Sequence, residues 1–239
     1  MSAIYSNYFL NSLSAQDLAL LSPDLKEMIF NHGDVLAEAG APIRTIYFPE
    51  SGMISMVVEL SSGDRLEAAL IGRSGMLGAG VAFDSKTYLN VAIVQMPGKG
   101  FAMKASALTK AAEASETLHV ALFRQEQYLL AQAQQTAACN AKHQIPARLS
   151  TWLLRVRDAS REEDLALTQE FLGQMLGVQR ASISLVAATL QDAGLIRYRR
   201  GHVRITDLTK LEVTACECYA ALRVQYKRLF PDTEMTAPK

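Results

Sequence analysis

The side chains with the clearest chemistry are basic residues at the start of one helical pattern and in the stretch that follows it. Arg180 lies at the start of the helical pattern, and Arg199, Arg200 and His202 lie in the stretch that follows it. A guanidinium group offers a planar fork of donors that matches guanine O6 and N7, or a phosphate. The residue types and their order therefore indicate recognition of duplex DNA, with one arginine reading a base edge and the others lying along phosphates.

Two short helices joined by a glycine must position Arg180. Thr168 is a suitable N-cap for the first helix, Gly177 is a typical helix end, and Ser182 is placed to meet a phosphate from the second helix. Apolar residues recur every three or four positions in both helices. These residues are Phe171, Leu172, Met175 and Leu176, followed by Ile183, Val186, Ala187 and Leu190.

A basic hairpin is predicted after the second helix, because Ile196 and Tyr198 on one side of Gly201 are matched by Val203 and Ile205 on the other. Between positions 142 and 210 there are eleven Lys or Arg and seven Asp or Glu, against thirteen and seventeen in the rest of the chain. The net charge of zero thus conceals a basic region, as phosphate binding requires. An ordinary helical hairpin with a solvated basic surface is the alternative interpretation.

Length and composition indicate two modest domains, since 239 residues with 49% hydrophobic content can supply two cores. We predict a β-barrel domain at 1–114, a dimerisation helix with a hinge at 115–141 and a winged helix-turn-helix domain at 142–239. The chain has neither a membrane-length apolar run nor a signal-peptide pattern, so we expect a soluble cytoplasmic protein without a membrane partner. Residues 232–239 are predicted to form a loose tail.

The barrel prediction rests on short β-rich runs between Phe30 and about Lys104, separated by Gly, Pro and Asn/Asp/Ser turns. A first helix around residues 14–21 precedes them. The strongest predicted strands are 43–48, 53–58, 65–71 and 91–96, and residues 61–64 mark one turn. The fold class is therefore α+β, with a β jelly roll at the N-terminus.

A long helix is predicted from Ser115, since no Gly or Pro occurs before Pro146. A heptad-like row along it favours a dimer axis over packing on its own barrel. The row consists of Leu118, Leu122, Gln125, Leu129, Gln132 and Thr136. The hinge is placed at residues 140–146, where His143 is interpreted as a structural residue, and residues 147–157 should anchor the C-terminal core.

The three cysteines Cys139, Cys216 and Cys218 fit a reducing compartment better than a disulfide framework. Cys216 and Cys218 could sense oxidants or hold a metal. Without an adjacent histidine, however, two thiols do not complete a zinc site, and an iron–sulfur cluster needs about four cysteines. We therefore expect no metal.

The order of barrel, long helix, hinge and winged helix-turn-helix resembles the Crp/Fnr superfamily of bacterial transcription regulators over nearly the whole chain. The motifs that carry the resemblance are residues 47–55, the glycine run 72–78, Arg148-Leu149 with Trp152-Leu153-Leu154, residues 176–180 and residues 194–202. This resemblance implies a homodimer that binds a palindromic operator in double-stranded DNA and works with RNA polymerase.

The resemblance assigns base reading to Arg180, Ala181 and Leu185, and backbone contacts to Thr168, Gln169 and Ser182. Of the three base-reading positions, only Arg180 keeps a polar side chain for the task. Gln179 stands where a Ser or Thr cap is usual, which weakens the helix start or frees the amide for a base. The operator should therefore differ from those of the best-known members.

The barrel departs further from the family. Cyclic-nucleotide members use a Gly-Glu pair for the ribose and an Arg-Ser or Arg-Thr pair for the phosphate, whereas this chain has Gly78-Ala79 and Asn90-Val91. Each lost charge-assisted bond removes about 1.5–3 kcal/mol. We therefore expect no cofactor, an unknown or absent effector and no useful affinity for cyclic AMP.

Two other functions stay open. One is a genuine cyclic-nucleotide-responsive regulator. The other is an enzyme that uses the barrel cavity. Against an enzyme, the four histidines, His32, His119, His143 and His202, are scattered and lie in no nucleophile or metal-ligand spacing.

Overall fold

A computed structural model describes residues 5–160 and 162–231, in which a β-barrel is followed by a long helix and a helical domain with a small sheet. The predicted α+β class is confirmed. The helices are α1 (Tyr8–Ser12), α2 (Ala15–Leu21), α3 (Ala105–Ala114), α4 (Glu116–Lys142), α5 (Ile145–Ser160), α6 (Gln169–Leu176), α7 (Arg180–Asp192), α8 (Leu208–Thr214) and α9 (Cys218–Leu229). The strands are β1 (Lys26–Phe30), β2 (Val35–Ala37), β3 (Thr45–Pro49), β4 (Met53–Glu59), β5 (Arg65–Ile71), β6 (Val91–Met96), β7 (Gly98–Lys104), β8 (Asp164–Ala166), β9 (Ile196–Arg199) and β10 (His202–Ile205). The predicted loose tail at 232–239 lies outside the described residues.

The barrel consists of two antiparallel sheets, ordered β1-β7-β3 and β2-β6-β4-β5. All four predicted strands are present, and those at 65–71 and 91–96 have the predicted bounds. The barrel begins earlier than Phe30, because β1 starts at Lys26 and its side chains are largely exposed, which leaves little apolar periodicity to read. Buried Ile46, Phe48 and Ile54 contribute to the cores that hold the sheets together.

Helix α4 packs on its own barrel through the row predicted to be a dimer seam. Of that row, Leu118 and Leu122 are fully buried, and Leu129, Gln125 and Gln132 are nearly so within the single chain. The seam prediction is therefore wrong for these residues. Helix α4 has apolar residues on two sides. The side with the regularly spaced leucines packs against the barrel, where it covers apolar barrel residues.

The buried glutamines of α4 have specific partners in the barrel. Gln132 Nε2 donates to the Leu70 carbonyl at 3.1 Å, and Gln132 Oε1 accepts from the Leu70 N–H at 3.2 Å and from Arg155 Nη2 at 2.6 Å. Gln125 lies against Gly75, where a Cβ atom would stand 2.6 Å from Gln125 Nε2. The glycine run thus admits α4 close to the barrel, while Gly78 supplies a left-handed turn with φ 99°.

The C-terminal domain starts at α5, whose second residue is Pro146, a position where a missing N–H costs nothing. The predicted hinge is shorter than expected, because α4 continues to Lys142 and only His143 and Gln144 separate the helices. Leu149, Trp152, Leu153 and other buried residues of α5 form one cluster with α6, α7 and the small sheet. None of the helices in the described part of the chain is long and apolar enough to cross a membrane.

The barrel and the C-terminal domain share this cluster, since Met53, Val57 and Leu70 of the barrel belong to it. At its centre Trp152 Nε1 donates to Glu67 Oε1 at 2.9 Å, and Ser55 Oγ donates to Glu67 Oε2 at 2.6 Å. Burial raises the pKa of the Glu67 carboxyl group, while Arg155, Ser55 and Trp152 lower it. A buried carboxyl group with both oxygens bonded therefore joins the two domains.

Replacing Glu67 tests this junction. Glu67→Ala leaves the Trp152 and Ser55 donors unpaired in the core and should lower the free energy of unfolding by about 2–4 kcal/mol. Glu67→Gln keeps an oxygen acceptor for Trp152 and should lower it by less than about 1 kcal/mol. Urea denaturation of the full chain measures both, and equal losses in the two variants would contradict the proposed bonding.

The stability of the native chain relative to Glu67→Gln should also depend on pH. Because the pKa of Glu67 is raised on folding, the folded state holds a proton that the unfolded state has released above about pH 4.3. The native protein should therefore lose stability relative to Glu67→Gln as pH rises from about 4. A stability difference that is independent of pH would show that Glu67 titrates alike in both states.

Candidate nucleic-acid interface

Helices α6 and α7 form the helix-turn-helix that the apolar spacing predicts. Thr168 Oγ1 accepts from the Phe171 N–H at 3.1 Å, so the proposed cap of α6 is present. Gly177 follows α6 in the left-handed conformation, with φ 63°, and lets the chain reverse before α7 begins at Arg180. Ile183 and Leu190 of α7 are buried against α6, which fixes the opposite side of α7 toward solvent.

The exposed side of α7 starts with Gln179, Arg180 and Ala181. Gln179 occupies the cap position without a side-chain bond to the helix, so its amide group is not used in capping. Leu185 is 71% exposed, which is unusual for a leucine in a domain with a packed core. The helix thus presents one guanidinium, one amide and two apolar side chains, with Ser182 half-buried beside them.

The predicted basic hairpin is formed by β9 and β10, in which Tyr198 faces Val203 and Ile196 faces Ile205. Its turn has positive φ at both central residues, 49° at Arg200 and 80° at Gly201, which twists the hairpin tightly. Arg199 and Arg200 are exposed and make no ion pair with the described residues. Their charge is therefore available to a phosphate.

Strand β8 completes this small sheet and was not predicted from the sequence. It pairs with β10 and places Asp164 3.1 Å from His202 Nδ1, and Glu163 3.1 Å from Arg204 Nη2. The available signal was the alternation of Leu165 and Leu167, both fully buried, but three residues are too few for a periodicity. His202 is thus less free to meet DNA than the two arginines of the turn.

Hydrogen bonds fix the hairpin relative to the two helices. Tyr198 Oη donates to the Leu167 carbonyl at 2.7 Å, and the Tyr198 N–H donates to Gln191 Oε1 at 2.8 Å. Gln169 accepts from the Ser184 hydroxyl group, which joins the starts of α6 and α7. Burial raises the pKa of Tyr198 and the nearby Arg180 lowers it, so the base-reading candidate lies close to the hairpin. These bonds hold strand β9 against α7 and against the segment that leads into α6.

A cavity of about 500 Å³ lies between α4, strands β4 and β5 of the barrel, and the segment 77–90. Gly78 and Asn90, two of the four residues predicted near a degenerate pocket, line it, whereas Ala79 and Val91 are buried elsewhere in the barrel wall. Its lining is mostly apolar and includes Tyr88, Leu129 and Leu130.

The charge of the cavity is unsuited to an anion. None of the described residues that line it is Arg or Lys, and its single ionisable carboxyl group is Glu126. Burial raises the pKa of Glu126, and a backbone bond to Gly80 lowers it. A phosphate group placed here would meet a carboxyl group and no cation.

Comparison with known proteins matches the two domains that contain these candidate sites. Residues 147–214 match the Crp-like helix-turn-helix domain, and residues 27–115 match the cyclic nucleotide-binding domain. No curated protein matches the sequence significantly. The chain thus joins a DNA-binding domain to a nucleotide-binding-like barrel.

Solved structures share this fold across most of the chain. FixK2 from Bradyrhizobium japonicum has 17% identity and a TM-score of 0.68, covering 80% of this chain and 98% of its own. The c-di-GMP responsive global regulator CLP from Xanthomonas campestris has 17% identity and a TM-score of 0.65, covering 81% and 100%. A CRP-family transcriptional regulator from Thermus thermophilus has 22% identity and a TM-score of 0.64, covering 79% and 96%. With its two matched domains, this chain belongs to the Crp/Fnr superfamily of transcription regulators.

Two arginine substitutions separate base reading from phosphate binding. The difference in binding free energy between the operator and a duplex that lacks its guanine should fall by about 1–3 kcal/mol in Arg180→Ala. Arg200→Ala should weaken binding to all duplexes alike. It should also reduce the slope of log K against log salt concentration by about the amount of one phosphate contact. Fluorescence anisotropy over a range of salt concentrations measures both effects.

Lys26→Ala is the matched control, since Lys26 is an exposed cation on barrel strand β1. It should leave both specificity and salt dependence unchanged. If Arg180→Ala weakened specific and non-specific duplexes equally, its assignment to base reading would be wrong.

Proposed function

We propose that this chain acts as a homodimer that binds a palindromic DNA operator, each copy inserting α7 into the major groove and laying its hairpin along the backbone. The coarser function, that of a Crp/Fnr-type regulator with a helix-turn-helix domain, follows from the family. The observation that carries the proposal is that exposed Arg180 lies near Tyr198 of the hairpin whose turn holds the exposed Arg199 and Arg200.

The side chains of α7 determine what sequence this surface prefers. Arg180 fits guanine O6 and N7. The side-chain amide of Gln179, which makes no capping bond to the helix, fits adenine N6 and N7. Exposed Leu185 and Ala181 have only apolar groups to offer, which suit thymine methyl groups. Thr168, Gln169, Ser182 and His202 are assigned to the backbone. The operator should therefore combine guanine with neighbouring thymines.

The dimer interface is assigned to a row of α4 side chains that the barrel leaves partly exposed, at the edge of the cavity. Val120, Phe123 and Leu130 are 40%, 51% and 58% exposed there, although they are large and apolar. Together with Gln127 and Gln134, they follow a heptad spacing along the helix. Packing this row against a second copy would cover apolar surface that the single chain leaves in water.

The cavity is the candidate effector site, and its lining favours an uncharged, mainly apolar molecule over a cyclic nucleotide. Phe123 and Leu130 belong both to the cavity lining and to the proposed interface. An effector would therefore contact the same helix that holds the two copies together. This arrangement gives a direct route from ligand binding to the spacing of the two DNA-binding domains.

Genomic footprinting tests the function as a whole. The native chain should protect palindromic sites, and Arg180→Ala should abolish most of that protection while the protein remains folded and dimeric. Absence of protected palindromes, or protection that does not depend on Arg180, would overturn the proposal.

RNA polymerase is the partner expected from the family. Transcription in vitro from a protected promoter, with and without the protein, measures how strongly transcription depends on it.

A charge placed in the α4 row should separate the copies. Leu130→Glu introduces like charges across the interface and should convert the dimer to a monomer at micromolar concentration. Ile29→Glu is the matched control, because Ile29 is 72% exposed on barrel strand β1, outside the row. Analytical ultracentrifugation measures both, and a monomeric native chain or a dimeric Leu130→Glu variant would contradict the assignment.

Cyclic nucleotides should not bind. Isothermal titration with cyclic AMP and with cyclic GMP should give no saturable heat at millimolar ligand, since the cavity offers no cation for the phosphate among its described lining residues. A micromolar Kd for either nucleotide would instead support the cyclic-nucleotide-responsive alternative.

A further inference from the structure

A second site lies at the junction of α4 with the C-terminal helices, and its residues belong neither to the cavity lining nor to the predicted DNA contacts. Cys139 and His143 stand one helical turn apart at the end of α4, Cys216 precedes α9, and Cys218 is its first residue. Their four ligand atoms all lie within 4.8 Å of one another. The fold thus places a third thiol and an imidazole beside Cys216 and Cys218, which the sequence alone leaves as two isolated thiols.

Two of the six distances between the four ligand atoms are close to the edges of a zinc tetrahedron. Cys139 Sγ lies 3.5 Å from Cys216 Sγ, and Cys218 Sγ lies 3.5 Å from His143 Nδ1. A tetrahedral zinc ion with ordinary Zn–S and Zn–N bonds separates its ligand atoms by about 3.6–3.8 Å. The other distances are at most 4.8 Å, so a single ion fits once the side chains move closer together around it. An iron–sulfur cluster instead holds its ligands around several metal atoms.

Surrounding groups orient the prospective ligands as they do in known zinc sites. His143 Nε2 lies 3.1 Å from Glu217 Oε1, which leaves Nδ1 as the ligand atom. Gln135 Nε2 donates to Cys218 Sγ at 3.0 Å. Thr151 Oγ1 accepts from the Cys216 N–H at 3.1 Å, so its own hydrogen can point to Cys216 Sγ, also 3.1 Å away. Each bond would stabilise a thiolate or a neutral, metal-bound imidazole.

A buried arginine balances the charge of such a site. Three thiolates around one Zn²⁺ carry a net charge of −1, which is costly to bury alone. Arg148 is only 9% exposed, its Nε atom has no hydrogen-bond partner among the described residues, and its Nη2 atom bonds Asn140 Oδ1 and the Leu176 carbonyl. Arg148 lines the same small cavity as Cys139 and Cys218, so this guanidinium lies close to the thiols.

A redox switch is a weaker explanation for the same cluster. All three cysteines are buried, so a dissolved oxidant reaches their sulfur atoms poorly. A disulfide also needs only two cysteines, and it gives no role to His143, Glu217 or the third thiol. Four converging ligands with hydrogen-bonded outer groups are explained together by a metal.

We propose that Cys139, His143, Cys216 and Cys218 bind one structural Zn²⁺, which fastens the end of α4 to the start of α9. All four coordination positions are filled by protein, as in structural rather than catalytic zinc sites. On binding, zinc displaces protons from the three thiols and releases them to solvent. The ion would hold the DNA-binding domain at a fixed angle to the long helix that carries the proposed dimer interface.

Metal analysis of the full chain tests the proposal. Protein without a histidine tag, purified from zinc-supplemented medium and desalted, should contain one zinc per chain by mass spectrometry of the metal. The double variant Cys139→Ser/Cys218→Ser should contain almost none. His119→Ala, which removes an exposed histidine outside the cluster, should retain the full amount.

Cobalt substitution keeps the test decisive if the double variant fails to fold. Native chain reconstituted with Co²⁺ under reducing conditions should show the intense visible bands of tetrahedral cobalt and thiolate-to-cobalt charge transfer, and equimolar zinc should abolish both. Weak octahedral bands, no metal after reconstitution with zinc, or a metal-free Cys139–Cys216 disulfide in fresh protein would each overturn the proposal. These measurements use no DNA, so their failure leaves the proposed regulatory function untouched.

Discussion

The position of the DNA-binding domain depends on a buried polar junction between strand β5, helix α4 and helix α5. Gln132 bonds both backbone groups of Leu70 and also accepts from Arg155, while Glu67 accepts from Trp152. Buried polar groups are costly unless each finds its partner, so few other arrangements of these elements satisfy them. The junction therefore selects one orientation of the C-terminal domain on the barrel.

Strand β5 connects this junction to the cavity. Ala68 and Ala69 line the cavity, and the residues on either side of them, Glu67 and Leu70, make the polar bonds to the C-terminal domain. A ligand that moves β5 would act directly on the bonds that orient the DNA-binding domain. Helix α4 offers a second connection, since it lines the cavity and ends at the cysteine cluster. In the proposed function, effector binding and dimer contacts would be linked to domain orientation through these two neighbouring elements.

The sequence predicted most of the helix-turn-helix and its hairpin, because these elements are local. The cap at Thr168, the turn at Gly177 and the apolar spacing of α7 lie within one continuous segment, and their periodicity reports burial directly. The fold of the barrel followed from its strands and from the family resemblance. Individual roles in DNA contact remain predictions.

Features that depend on distant segments were missed or misplaced. Both sides of α4 carry apolar residues, and periodicity alone does not say which side packs against the barrel. The heptad-like row therefore predicts a dimer seam at Leu122, which the barrel covers. His143 and Cys216 are far apart in sequence, and only the packing of α9 beside α4 brings them together. Strand β8 was too short to give a pattern.

Selection of bound duplexes from a random pool tests the central claim most directly. We predict a symmetric motif whose half-sites are spaced by about one helical turn, ~10–10.5 base pairs, or a multiple of it, with a guanine in each half that Arg180→Ala no longer requires. An asymmetric motif, no enrichment, or a motif unchanged by Arg180→Ala would contradict it.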